Sequence, residues 1–441
     1  MKFTRFFLLI IATKILIACG EKVTTQGAFT SDNSLRYELN IETKKEKEIQ
    51  VTYTDGKDSF TTEPSRGVQH QQLLYPLKPN TNYTYSITEG NNSNSVLDSG
   101  SFTTTAMPDS LLKIEGSLTD RFSFDGYILF RRFFEKGADY LMNDQAEIVW
   151  YQDHKQPVLR PFEYTQENTI LALQDSFLVV EYDLLGKEKY RVDMKAKGLE
   201  YPLHHELRKD NEGNIIALSY TEQTFDLSKA GGNKNQIVKT DKLLKFNTDG
   251  EILWEWSPFD VANPIDDPEI LNYLQDWGHA NAIAFAPDGN YLISFRDFWQ
   301  IWKIDANTGD VLWKLGKDGE MKIDALSQPI KQHSIHFDSN GYLTIFDNGD
   351  KEIRPNSRIL VFELDEENME AKSIHRIELP LGLSSYRMCS AYKIDENHYL
   401  VCTSRKGLNL SVVDLKGKSQ WTARLDNSSY RAYYLPSLRT E

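Results

Sequence analysis

Apolar and polar residues alternate in short runs through the first hundred positions. Glu48-Ile49-Gln50-Val51-Thr52-Tyr53 and Asn82-Tyr83-Thr84-Tyr85-Ser86-Ile87 repeat with period two, the spacing of a half-buried strand. Leu77-Lys78-Pro79-Asn80-Thr81 leads into the second run, and Ser101-Phe102-Thr103-Thr104 closes the region. The pattern predicts a small β-sandwich of fibronectin type over 19–107, with Pro108 at its boundary. Such modules usually space or pack; few carry chemistry.

The remaining 334 residues, 108–441, show almost no helical period. A phrase recurs instead: a turn, two apolar positions, then tryptophan. It reads Ala146-Glu147-Ile148-Val149-Trp150, Gly250-Glu251-Ile252-Leu253-Trp254 and Gly309-Asp310-Val311-Leu312-Trp313. Gly417-Lys418-Ser419-Gln420-Trp421 keeps the tryptophan with polar residues in the apolar places, and Gly186-Lys187-Glu188-Lys189-Tyr190 is a weaker copy. Regular repeats of short strands imply an all-β, six-bladed β-propeller at about 56 residues per blade, long enough for generous loops.

Charge narrows the function. Fifty basic against 64 acidic residues give −14. A net-acidic body argues against nucleic acid as the main partner, so any anionic ligand needs a local cation cluster. The basic residues Lys2 and Arg5, the apolar Phe6–Ile17 interrupted by Lys14, and Leu16-Ile17-Ala18-Cys19 read as a secretory signal over 1–18. The segment resembles a lipobox, which makes Cys19 the lipidated first residue of an exported lipoprotein in the cell envelope. No later run is long enough to span a bilayer as a helix, so membrane attachment is expected through the lipid alone. Cys389 and Cys402 flank Asp395-Glu396-Asn397 in an expected hairpin whose midpoint sets them opposite each other, which leaves open a disulfide or two buried thiols.

Three histidines carry the candidate chemistry. His205, His279 and His333 each open a strand that ends in a glycine turn, at Gly213, Gly289 and Gly341. The separations are all even, so in unbroken strands the rings share one side; His204 and His336, at odd separations, should point away. Equivalent positions of successive blades converge on the propeller axis, so the three rings are expected at one mouth of the channel. Arg296, on the strand returning from His279, would complete an anion pocket. Zinc is disfavoured because no carboxylate or cysteine stands at ligand spacing. Lys229-Ala230-Gly231-Gly232-Asn233-Lys234 lacks the phosphate-loop pattern, and no serine stands in a nucleophile elbow.

Taken together, Asp276-Trp277-Gly278-His279-Ala280-Asn281, Ser294-Phe295-Arg296, Gln332-His333-Ser334, Phe346-Asp347-Asn348-Gly349 and Ser357-Arg358 resemble the bacterial arylsulfate sulfotransferases that use no adenylyl-sulfate donor. The resemblance is strongest over roughly 200 to 410 and implies transfer of a sulfuryl group from an aryl sulfate to a phenol through a sulfohistidine, with no soluble cofactor. The family's nucleophile matches His333, with serine where the family has threonine after it. Its channel histidines and arginine match His279, Arg296 and His205, the adjacent His204 being the competing match for the last. A protonated His205 or His279 would serve the phenolate oxygen. Trp277, Phe298 and Trp299 are candidates for stacking on the aryl ring, although propeller tryptophans more often pack. Asp305–Trp313 also resembles the docking phrase of quinone-dependent dehydrogenase propellers, which need eight blades and a quinone and calcium site. The competing reading is a non-catalytic propeller that binds a sulfated or phenolic ligand or a surface partner.

Overall fold

The computed structural model describes residues 23–31, 33–90, 95–133, 137–404, 409–426 and 429–438. The expected signal segment and Cys19 lie outside the described residues. Secondary structure here is strand with short 3-10 turns, and none of the described helices is long and apolar enough to cross a membrane. The chain divides into two compact units, one of Met1–Leu111 with Tyr140–Met142 and Glu147–Asp153, the other the remainder.

Before the propeller, strand Tyr37–Thr54 organises a six-stranded sheet. One edge pairs with Thr24–Phe29 and then Asn82–Glu89; the other pairs with Ser65–Leu74 and then Ser59–Thr61. Phe102, on the strand beside Asn82–Glu89, stacks on Tyr37 at 4.0 Å and on Tyr83 at 5.4 Å. The two halves of the sheet therefore close over one aromatic core, the solution for strands whose inner faces alternate with polar outer ones.

Six sheets of four main strands follow, and they make a six-bladed propeller. The second blade runs from inner Phe162–Tyr164 to outer Glu188–Asp193, the third from His204–Lys209 to Ile252–Trp256, and the fourth from Ala280–Phe285 to Val311–Gly316. The fifth runs from His333–Phe337 to Glu370–Glu378, and the sixth from Ser390–Asp395 to Ser419–Leu425. The C-terminal strand Ala432–Leu435 is the inner strand of the first blade and pairs with Tyr127–Arg132, while Ile114–Leu118 pairs with the outer strand of the sixth. Both chain ends of the propeller are thus stitched into blades, and the pairing of Ala432–Leu435 with Tyr127–Arg132 closes the ring.

Alternate residues of one strand serve two interblade cores. Ile215 and Ala217 pack with Leu171 and Val179 of the second blade, whereas Ile216 and Leu218 pack with Ile283 and Ile293 of the fourth. Both faces are buried, so these strands read as continuous apolar runs. The tryptophan phrases fall on outer strands, and two tryptophans of those strands dock neighbouring turns: Trp421 of a phrase, and Trp256 two positions beyond the phrase's Trp254. Trp256 Nε1 donates to Gly309 O at 2.8 Å, and Trp421 Nε1 to Asp144 O at 2.5 Å. Gly309 has φ +80°, and a Cβ there would meet Trp256 at 3.0 Å, so the dock needs glycine twice over. The fifth blade's outer strand carries no such phrase.

The cysteine hairpin departs from expectation. The turn centres between Glu396 and Asn397, with Asp395 opposite His398, and beyond a bulge between Lys393 and Asp395 Cys402 faces Ser390 rather than Cys389; both cysteines are buried and not joined in a disulfide.

Candidate active site

The inner strands of the third, fourth and fifth blades begin at one mouth of the channel, each with a broken register. Irregularities fall between His204 and Leu207, Ala280 and Ala282, and His333 and His336. His205, His279 and Ser334 have φ of 51°, 52° and 48°, in the left-handed region where side chains other than glycine are strained. Strict alternation therefore fails in all three segments. The rings are brought together because each blade is bulged near the same height.

His205 and His279 lie with ring centroids 5.1 Å apart. His204 does not point away, contrary to the parity expectation: its Nδ1 is 2.8 Å from His205 Nδ1, and its ring stacks on Tyr220 at 3.9 Å. His336 does leave the group and stacks on Tyr392 at 4.3 Å. His204 Nε2 is 3.1 Å from Ser219 O, which can only accept, so Nε2 carries a proton and Nδ1 is a lone pair. His205 Nδ1–H then donates to His204, leaving a lone pair on His205 Nε2. Burial, with His204 and His279 adding to it, holds His205 well below the usual imidazole range, so it is neutral.

His279 is the opposite case. Burial works against its cation, but Asp276 Oδ2 at 2.5 Å from Nδ1, with Asp241 and Asp297 behind, raises its pKa above the ordinary value. Asp241 accepts the Ala280 N–H, and burial followed by repulsion from Asp276 pushes its pKa to about 8. Gly278, just before His279, has φ +94°, and a Cβ would press on Phe298 at 2.9 Å. This explains a glycine between Trp277 and His279.

His333 is 4% exposed. Its Nδ1 is 2.7 Å from Asn348 Oδ1 and 3.2 Å from Lys331 O. Asn348 Nδ2 donates to Ser385 O and Met388 O, which turns the amide oxygen toward the histidine. Two acceptors at Nδ1 place the proton there and leave the lone pair on Nε2. Burial, then the charge of Arg296 and the nearby His279 and His205, drives the His333 pKa well below the usual imidazole value, against the Asn348 bond. The backbone N–H of Arg296 donates to His279 O at 3.0 Å, and its guanidinium is ion-paired with Asp297.

Further residues of the quoted segments lock blade to blade. Gln332 Nε2 donates to Ser294 Oγ, Phe295 O and Gln300 O, while Asn281 Nδ2 donates to Gln332 O at 2.8 Å. Asp347 binds Arg358 through Nε at 2.9 Å and Nη2 at 2.7 Å, and also accepts Ile330 N–H. Asn281 Oδ1 and Ser334 Oγ are buried without a protein partner. Farther down the channel, Arg431 pairs with Glu206 at 2.5 and 2.9 Å, and Arg208 with Glu163 at 3.3 Å. Asn348, Asp276 and the active part of His204 were not assigned roles from sequence; the first two stand inside the quoted motifs, which was the available signal.

Trp277 packs: its Nε1 donates to Asp267 at 2.9 Å, and it stacks on Phe259. Phe298 stacks on Trp302 at 5.8 Å, and Lys317 Nζ lies 5.4 Å from the Trp299 ring. Trp277 and Phe298 border a cavity of about 520 Å³ shared with Tyr273, Asp297 and Lys314. Among the described residues, no group of three or more His, Cys, Asp and Glu side chains is placed to hold a metal ion.

Several solved structures align with the chain at low identity. A protein of unknown function from Bacteroides caccae is 15% identical with TM-score 0.43, over 68% of this chain and 94% of that one. Virginiamycin B lyase from Staphylococcus aureus is 11% identical with TM-score 0.33, over 71% and 99%. A putative 6-phosphogluconolactonase from Bacteroides fragilis is 10% identical with TM-score 0.37, over 88% and 98%. A search of curated proteins gave no significant match. The arylsulfotransferase (ASST) family model matches residues 120–431, a span that contains every candidate residue of the channel mouth, and the chain belongs to that family.

Proposed function

We propose that the protein moves a sulfuryl group from an aryl sulfate to a phenolic acceptor by a ping-pong cycle through sulfated His333. The observation that carries this reading is the oriented His333, neutral and with its Nε2 lone pair free of the Asn348 bond, beside Arg296 and a cationic His279. In the first half-reaction, Nε2 attacks sulfur and forms the N–S bond; the S–O(aryl) bond breaks, and its electron pair leaves on the phenolate oxygen. Arg296 and protonated His279 hold the sulfuryl oxygens. In the second half-reaction, the acceptor phenol gives its proton to His205 Nε2 as its oxygen attacks sulfur, and the N–S pair returns to His333. The proton on His205 balances the phenolate released earlier. All of this uses the chain's own residues; catalysis rests on positioning and charge, as in the analogous phosphoryl transfers.

The reading places residues 108–441 as the catalytic propeller behind a spacer of 19–107, with lipid on Cys19 tethering an exported protein in the cell envelope. Mixing the protein with an aryl sulfate of a coloured phenol tests it. Colour release that requires an added phenol is expected. Saturable binding without turnover would instead make the propeller a binding module.

His279 must keep its proton, so activity should be present below its raised pKa and fade as pH rises through it. Asp276→Asn removes the carboxylate that sustains that pKa, and the alkaline limb of kcat/KM should move to lower pH. The loss should be largest on the alkaline side and shrink as the pH is lowered, where the imidazole is protonated with or without Asp276. A limb that stays in place would remove His279 as the cation.

A further inference from the structure

We infer that Arg160 is the cation on the leaving-group side of the channel, contacting the aryl oxygen as the S–O bond breaks. This rests on the assignment of His333 as nucleophile.

In the second blade the inner turn closes with Thr165 N–H donating to Thr169 O; in the third, Asp210 N–H donates to Asn214 O, and in the fifth, Asp338 N–H donates to Tyr342 O. Counting back five residues from each closing residue gives Arg160, His205 and His333. Arg160 is therefore the second blade's counterpart of the two histidines, on the run-in to inner strand Phe162–Tyr164. A local irregularity recurs there too: Leu159 N–H donates to Leu173 O, and Leu173 N–H to Pro161 O, so Arg160 sits between two residues that share one partner. Its guanidinium is half-buried, with Cζ 5.4 Å from the Phe133 ring, and its charge is felt by both His205 and Tyr430. Tyr430, which is 4% exposed, directs its hydroxyl to Asn281 O at 3.4 Å, so this part of the second blade faces the same mouth as Asn281.

The direction of reaction points to the same blade. In-line displacement at sulfur sends the leaving oxygen away from the attacking nitrogen. In a ring of six blades taken in chain order, the fifth and second stand half a turn apart. A nucleophile entering from the fifth expels the phenolate toward the second. The inner strands of the third and fourth, carrying His205 and His279, occupy the arc between. Arg160 is the cation that the second blade offers at that height. A guanidinium there stabilises charge that exists on the aryl oxygen only as the bond breaks, and it needs no proton transfer to do so. In the reverse half-reaction the same contact lowers the cost of forming the acceptor phenolate.

The test is the dependence of donor kcat/KM on the pKa of the departing phenol, for the full chain and for Arg160→Met and Arg160→Lys, with melting curves for each. Phenyl sulfate needs the most help with its leaving group, and the Arg160→Met loss should be about 10²-fold there, shrinking to less than about 3-fold for 4-nitrophenyl sulfate, with Arg160→Lys recovering part of it. If Arg160→Met does not fold, the same slope is read from Arg160→Lys against the parent. An equal loss for all donors, no loss, or a loss confined to donors with an anionic ring substituent would overturn the assignment. Failure of the His333 reading looks different: the parent itself would show no acceptor-dependent release.

Discussion

Replacing His333 by alanine should lower acceptor-dependent turnover by on the order of 10⁴-fold or more, because a missing nucleophile removes the covalent route rather than one contact within it. The fold should survive. Only one side chain is truncated, and the cost is the lost Nδ1–H bond to Asn348, about 1–3 kcal/mol for a buried acceptor left without its donor. Two measurements separate chemistry from folding. Intact mass after brief exposure of the parent to donor alone should show one added sulfuryl group, and His333→Ala should show none. Thermal melts of the two proteins should differ by only a few degrees. A His333→Ala protein that kept a sizeable fraction of parental turnover, or still gained the mass, would move the nucleophile elsewhere. His205 Nε2 would be the next candidate, since its lone pair is also oriented, by His204.

Glu206→Ala should destabilise the propeller by about 3–5 kcal/mol, read as a lower urea midpoint with little change in slope. Glu206 and Arg431 are both buried, and the pair is bidentate. Removing the carboxylate leaves the Arg431 guanidinium unpaired with Arg208 close by, and Arg208 itself keeps Glu163 but loses the second of its two carboxylates. The position magnifies the effect: Arg431 immediately precedes Ala432–Leu435, the strand that closes the ring into the first blade. A destabilisation below about 1 kcal/mol would mean that water or another carboxylate replaces the pair. Glu206→Gln, which keeps the shape and one acceptor oxygen, should cost less than Glu206→Ala.

Both results concern residues that the sequence displayed unequally. His333 could be singled out because it sits in a recurring unit, between Gln332 and Ser334. Gln332 ties the fifth blade to the fourth through three acceptors. Glu206 sits beside His205 in the same strand, yet a lone glutamate in a strand reads as a solvent-facing residue. Its burial against Arg431 spans 225 positions of chain. Likewise His204 was set aside by alternation, an argument that holds only in an unbroken strand, and the break between His204 and Leu207 defeats it. The cysteine hairpin differs because its turn centres one position later than the expected midpoint, between Glu396 and Asn397, and the bulge between Lys393 and Asp395 takes back only half of that offset.

Local order was written in the chain: the period-two runs, the turn glycines, the outer-strand tryptophans and the histidine units are short-range patterns, and short-range patterns are enough to specify strands, turns and a repeat count. Proton positions and partners were decided only by closure of the ring. Which nitrogen of His333 is free depends on Asn348, whose orientation depends on carbonyls at Ser385 and Met388, and the charge of His279 depends on Asp276 in a buried pocket. Those are long-range contacts in a low-dielectric interior, where a bond of under 3 Å sets the tautomer and burial sets the charge, and neither quantity exists until the blades have packed.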